Sequence, residues 1–274
     1  ELIEDTNTVI LKQPFQEQQT LGEYLQSEKT LSPEQTLQLG ISLCEQLENR
    51  HAKTWVHKGI KPNNILYSQN PGALTLLDDI ETRAPQQLTQ QPNDPGHCRE
   101  SLPYQSPEQS SRIHSEIDNR RDLYSLGCVL YHCIAGRPPF ISDQALEVAH
   151  SHLAEPPLAL NEREPECAIS LSNIIATLLE KQTEKRYQSA TGLKKDLLTC
   201  LDRLSLSDTS AFPLKRHDFS QEIAPPSILV GRQYEKQQLL DLYQQVCNGQ
   251  LGVAYISGLT GIGKSRLVQE LEAP

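Results

Sequence analysis

"WVHKGIKPNNILY", running from Trp55 to Tyr67, decides how the rest of the chain is read. Lysines, asparagines and a glycine crowd between apolar ends, as in a polar loop held beside packed structure and shaped to hold a nucleotide's phosphates. Upstream, Ser32-Pro33-Glu34-Gln35 is a capping box with proline at the first helical position. Leu37, Ile41, Cys44 and Leu47 then recur at helical spacing, which predicts an amphipathic helix running into the loop. Downstream, "NNILYS" and "ALTLLDD" are apolar runs separated by Asn70-Pro71-Gly72, a strand, turn and strand. Gly59 stands in the middle of the loop, where a carboxylate would be useful.

The bulk numbers bound the function. The 274 residues, 37% of them hydrophobic, suffice for one large domain or two smaller ones. A net charge of −10 argues against an electrostatic grip on nucleic acid or anionic lipid. No apolar run approaches the ~18 residues of a membrane span and no signal peptide is visible, so a cytoplasmic protein with no membrane span is expected. The seven cysteines are widely spaced without a C-x-x-C pair, which signals neither a disulfide framework nor a zinc site. The chain begins at Glu1 and contains no methionine, which predicts a fragment of a longer polypeptide.

Farther along, residues 81–107 read as a long polar surface loop. "DLYSLGCVLYHCIAG" is apolar nearly all round, a buried helix closed by Gly136, and Cys128 and Cys133 inside it read as packing residues. More helices are predicted near 143–154, 170–181 and 190–204, and His150 and His152 in the first of these read as ordinary helix-surface histidines rather than a metal pair. Residues 206–226 read as a linker between a domain over 1–205 and a second over 227–274. In the second, "QYEKQQLLDLYQQVCNG" is helical in period and "GVAYISG" is β-rich. It leads into Gly258-Leu259-Thr260-Gly261-Ile262-Gly263-Lys264-Ser265, which satisfies G-x-x-x-x-G-K-[ST] in full. Gly258, Gly261 and Gly263 let backbone N–H groups curl around phosphate oxygens, Lys264 reaches the β and γ groups, and the Ser265 hydroxyl suits Mg²⁺, so ATP with Mg²⁺ is the expected cofactor.

The first loop carries a resemblance. His57-Lys58-Gly59-Ile60-Lys61-Pro62-Asn63-Asn64 resembles the catalytic loop of protein kinases, H-R-D-x-K-x-x-N, and Leu76-Leu77-Asp78 follows where the family's metal-binding Asp is delivered. Ser106-Pro107-Glu108 is similar to the A-P-E motif, Asp122 opens a stretch similar to the family's buried central helix, and Lys185-Arg186-Tyr187 supplies the arginine that pairs with that Glu. The resemblance implies an α+β kinase-like fold, mainly the α-helical C-lobe with the N-lobe largely missing, followed by the beginning of an α/β P-loop NTPase domain. More narrowly, the order resembles bacterial signalling proteins in which a serine/threonine kinase-like domain precedes an AAA/STAND-type ATPase. Their partners would be other domains of the same polypeptide and signalling proteins.

Roles carry over only where residues match. The resemblance implies Asn64 and Asp78 as metal-holding positions, Lys61 as the phosphate contact, and Glu108 with Arg186 as a structural ion pair. Gly59 occupies the position of the family's base, and Asp78-Asp79-Ile80 replaces D-F-G. Two functions follow as alternatives: a serine/threonine kinase lobe of a signalling ATPase, catalytically degenerate here, or a pseudokinase scaffold with nucleotide only at the P-loop. "TVILKQPF" (Thr8–Phe15) is expected to be the strand entering the hinge between lobes.

Overall fold

The structure, a computed structural model, describes residues 2–5, 8–11, 19–68, 74–78, 100–110, 118–164, 167–219 and 231–258, with Lys264 and Leu267; in 2–5 and 8–11 only the backbone is described. The chain divides into two units, 1–221 and 222–274.

In the first unit, β1 (Leu2–Asp5) and β2 (Thr8–Leu11) pair antiparallel with Leu2 opposite Leu11. Helix α1 (Leu21–Glu28) begins at a capping box between Thr20 and Glu23. Helix α2 (Pro33–His51) begins at another: the Ser32 hydroxyl accepts the Gln35 N–H, and the Gln35 side chain accepts the Ser32 N–H. Each such cap satisfies donors that the first helical turn would otherwise leave open, worth about 1 kcal/mol. After the loop, β3 (Ile65–Leu66) pairs antiparallel with β4 (Thr75–Leu76), Ile65 opposite Leu76.

Helix α3 (Arg120–Ala135) is buried on nearly every side and ends at Gly136, whose φ of +67° is the left-handed conformation that glycine adopts without a Cβ penalty. Helices α4 (Ala145–Ala154), α5 (Ile169–Leu178) and α6 (Ala190–Ser205) complete the lobe. α2 lies against α6 and α3, and α3 against α5, burying Leu43, Leu47, Leu126, Leu130, Leu178 and Leu197 completely. Burial of each leucine contributes about 1.5–3 kcal/mol, so this interior is what holds the loop's foundations still.

Three readings change. His152 is fully buried rather than on a helix surface; its Nδ1 lies 2.9 Å from the Tyr124 hydroxyl and its ring meets Phe140 edge-on. His150, two residues earlier, is exposed, because helix positions i and i+2 do not share a face. Of the stretch 81–107, residues 100–107 carry local order: Leu102–Tyr104 forms a helical turn and Pro107 opens another that runs to Ser110, while residues 79–99, including Asp79 and Ile80, lie outside the described residues. In the second unit, α7 (Gln233–Cys247) forms as its period predicts, but 251–258 is not paired into a sheet among the described residues, and Leu251, Val253 and Tyr255 are exposed. A strand needs a hydrogen-bonded neighbour as well as β-rich composition.

Residues 208–219, within the stretch read as a linker, lie along the helical lobe. Asp218 accepts the backbone N–H groups of Gln188 and Ser189 at 2.7 and 2.9 Å, and the Ser170 hydroxyl donates to the Ser210 carbonyl.

Candidate functional site

Two elements fix the loop from below. Asp122, in the first turn of α3, is fully buried and its carboxylate accepts the N–H groups of His57 and Lys58, both at 2.8 Å, and lies 2.9 Å from His51 Nε2. Burial alone would raise its pKa, but the hydrogen bonds from His51 and the His57 backbone outweigh that and hold it below the ordinary carboxylate value. Asp122 therefore stays ionised, a fixed anion around which the backbone turns. The turn needs it, because Lys58 has a φ of +68°, a conformation that costs a side-chain-bearing residue about 1–2 kcal/mol. Gln109 Nε2 donates to the Lys58 carbonyl and so holds the next peptide, on the other side of the Lys58 Cα.

His57 is buried, and burial first, with the Arg50 charge adding, pushes its pKa below the usual value against the pull of Asp122. The neutral ring donates from Nε2 to the Leu77 carbonyl at 2.9 Å and accepts the Gly59 N–H at Nδ1. Leu77 N–H in turn donates to the Asn64 carbonyl, and Asn64 Nδ2 to the Gly59 carbonyl, both at 2.8 Å. These bonds draw Gly59, Asn64 and Asp78 into one place. Lys61, 4% exposed, joins them with Nζ 3.0 Å from the Ser101 hydroxyl.

Beside Gly59 is a small cavity lined by Lys58, Gly59, Ile60, Lys61, Ser101, Tyr104, Gln105 and Gln109. None of these is acidic. Asp78 is engaged elsewhere, its Oδ1 3.3 Å from Arg50 Nη2. Sequence reasoning missed Arg50, since an arginine in the last turn of a helix ordinarily signals only a favourable helix dipole.

Farther from the loop, Arg186 is fully buried and grips Glu108 with both terminal nitrogens, at 2.6 and 3.2 Å. Its Nε donates to the Glu180 carbonyl, and the guanidinium lies 4.7 Å over the Tyr124 ring. Burial would raise the Glu108 pKa; the hydrogen bond and charge of Arg186 prevail and lower it. The pair anchors the helical turn that follows Ser106.

In the second unit, Lys264 Nζ donates to the Gly258 carbonyl at 2.8 Å. Gly261, Gly263 and Ser265 lie outside the described residues.

A mostly helical lobe that holds an H-x-x-x-K-x-x-N loop above a buried aspartate is a kinase-like fold. The protein kinase domain matches residues 1–198, and the chain belongs to the protein kinase family; an AAA ATPase domain matches residues 228–274. The chain is 35% identical over 192 residues, 70% of its length, to a probable serine/threonine-protein kinase of Streptomyces coelicolor, and 32% identical over 182 residues to the serine/threonine-protein kinase PknB of Mycobacterium leprae. It spans 28% of the length of each. Over 191 residues it is also 35% identical to a hybrid signal transduction histidine kinase of Dictyostelium discoideum, covering 61% of this chain and 6% of that protein. Among solved structures, the PknI kinase domain of Mycobacterium tuberculosis superposes with a TM-score of 0.49 at 18% identity, covering 68% of this chain and 62% of that one. No helix among the described residues is long and apolar enough to cross a membrane.

Proposed function

We propose that this chain is part of a multi-domain signalling protein in which the kinase lobe no longer transfers phosphoryl groups and serves as an interaction module, while ATP is held at the P-loop of the ATPase segment through Gly258, Gly261, Gly263, Lys264 and Ser265. The observation that carries the reading is the cavity beside Gly59, whose described lining holds no carboxylate to accept a substrate hydroxyl's proton. General-base catalysis contributes ~10²–10⁴ in rate, or about 3–5 kcal/mol of barrier. Its loss compounds with any loss at the metal position, since such groups act as a unit. The residues of the lobe also fit Mg²⁺ poorly as they stand, because the Asp78 carboxylate already faces a guanidinium. The similarity to a hybrid signal transduction histidine kinase supports a signalling context.

The test is radiolabelled phosphate transfer from ATP to a generic protein substrate, together with nucleotide binding. The reading expects no transfer above background, and Mg-ATP affinity that falls in Lys264→Ala but is unchanged in Asp78→Ala and Asn64→Ala. Transfer that disappears in Asp78→Ala would restore the lobe to the active kinases.

A further inference from the structure

We infer that Arg50 is a built-in replacement for the divalent cation at Asp78, so that the kinase lobe excludes metal from its own site by occupying the carboxylate with a cation from α2. The inference rests on the reading of Asp78 as the metal-side carboxylate of the lobe.

The geometry is that of a placed group. Arg50 sits in the last turn of α2, and its side chain and that of Asp78 are 21% and 15% exposed. The guanidinium is oriented by two carbonyls besides the carboxylate: Nη1 donates to Gln46 O at 3.3 Å and Nη2 to Leu76 O at 3.1 Å. A planar fork fixed at several points loses little further freedom in meeting an anion, unlike a pair of waving surface side chains. The carboxylate is brought to it by the same helix. Gln46, one turn earlier, accepts the Leu76 N–H at 2.9 Å and donates to the Leu74 carbonyl at 3.2 Å, stitching β4 along α2 so that Asp78 arrives beside Arg50.

A cation already at the carboxylate opposes a second. Mg²⁺ binds oxygen at about 2.0–2.1 Å in near-octahedral geometry and gives up water reluctantly, so it gains little from a carboxylate that a guanidinium shares. To coordinate metal through either oxygen, Asp78 would bring the ion close to a half-buried positive charge that already contacts its Oδ1, which like-charge repulsion disfavours. Arg50 thus sets the ligand preference of the site toward no divalent cation.

The experiment titrates Mn²⁺ alone, without nucleotide, into the full chain and counts free Mn²⁺ by electron paramagnetic resonance. The variants are Arg50→Gln, which keeps a donor for the Leu76 carbonyl without the charge, and Arg50→Met, which keeps the aliphatic stem should the first fold poorly. At least one folded variant is expected to bind Mn²⁺ fivefold or more tightly than the parent, and the gain is expected to vanish when Asp78→Asn is added. Equal affinity in parent and folded variants, including binding by neither, would overturn the inference, as would a gain that survives Asp78→Asn. The outcome is separable from the proposed function: an Asp78-dependent Mn²⁺ site in the parent refutes the internal cation while leaving the missing base untouched.

Discussion

At the scale of single residues, Asp122 shows how one buried charge sets a loop. Replacing it with alanine leaves the His57 and Lys58 N–H groups without their acceptor beside a left-handed Lys58. Each unsatisfied buried donor costs about 1–3 kcal/mol, so Asp122→Ala, which strips two of them, is expected to lower the unfolding free energy by about 2–6 kcal/mol in urea titration. A loss below about 1 kcal/mol would show that the loop is held by other means. His152 gives a pH dependence. Burial first, and the nearby Lys181 charge second, lower its pKa to about 4 against backbone carbonyls of Leu102 and Pro103 that favour the charged form, while the unfolded value is near 6.5. The unfolded chain takes up the proton first as pH falls, so the stability due to neutral His152 is full above about pH 6.5 and is lost as pH drops toward 4, by roughly 3 kcal/mol at most. His132 has a similarly lowered pKa from burial and adds to the same slope. The urea midpoint of His152→Phe should therefore fall less between pH 7 and pH 4.5 than that of the parent; parallel curves would remove His152 as the cause. Gly59 was legible as a missing side chain, because absence in a spaced motif needs no coordinates. Arg50 was not, because nothing in its local sequence distinguishes a solvated helix-end arginine from one aimed at a carboxylate on β4.

At the scale of elements, long periodic helices were readable and short irregular pieces were not. α2 could be located to within a residue because Ser32, Pro33 and Gln35 announce its start and its apolar stripe persists over several turns. The stretch after α6 has no such period, only Ser, Asp, Pro and scattered charge, and composition alone reads as linker. Its order comes from side chain to backbone bonds that pattern cannot reveal. Asp218 accepts the Gln188 and Ser189 N–H groups just ahead of α6, whose cap is the Ser189 hydroxyl, and Lys215 Nζ donates to the carbonyls of Lys185 and Arg186, the latter belonging to the residue that grips Glu108. Gly192 makes the approach possible: a Cβ there would meet Asp218 Cα at 2.6 Å. Gly192→Ala should therefore detach 208–219 while leaving α6 helical, costing about 1–2 kcal/mol in the hydrogen bonds that Asp218 accepts and the contacts around them. Hydrogen exchange would register this as faster exchange at the Gln188 and Ser189 amides with the middle of α6 unchanged. Unchanged rates at both amides would mean that the strap does not depend on this contact.

At the scale of the molecule, the proposed function gives nucleotide to only one of the two units, and mass action can test that. A ligand that binds only a folded unit stabilises it by RT ln(1 + [L]/Kd), about 2.7 kcal/mol at one hundred times Kd, and leaves an independent unit where it was. If the lobe neither holds metal at Asp78 nor supplies a base at Gly59, ATP has nothing to gain there, and its effect should be confined to the segment that carries Lys264. Calorimetry of the full chain with saturating Mg-ATP is thus expected to raise the transition belonging to 222–274 and leave that of 1–221 in place, the shift disappearing in Lys264→Ala. The helical lobe, with its continuous interior from Leu21 to Leu197, should melt as one cooperative step in both conditions. A rise in the lobe's own transition that persists in Lys264→Ala would place a working nucleotide site back beside Asn64 and Asp78.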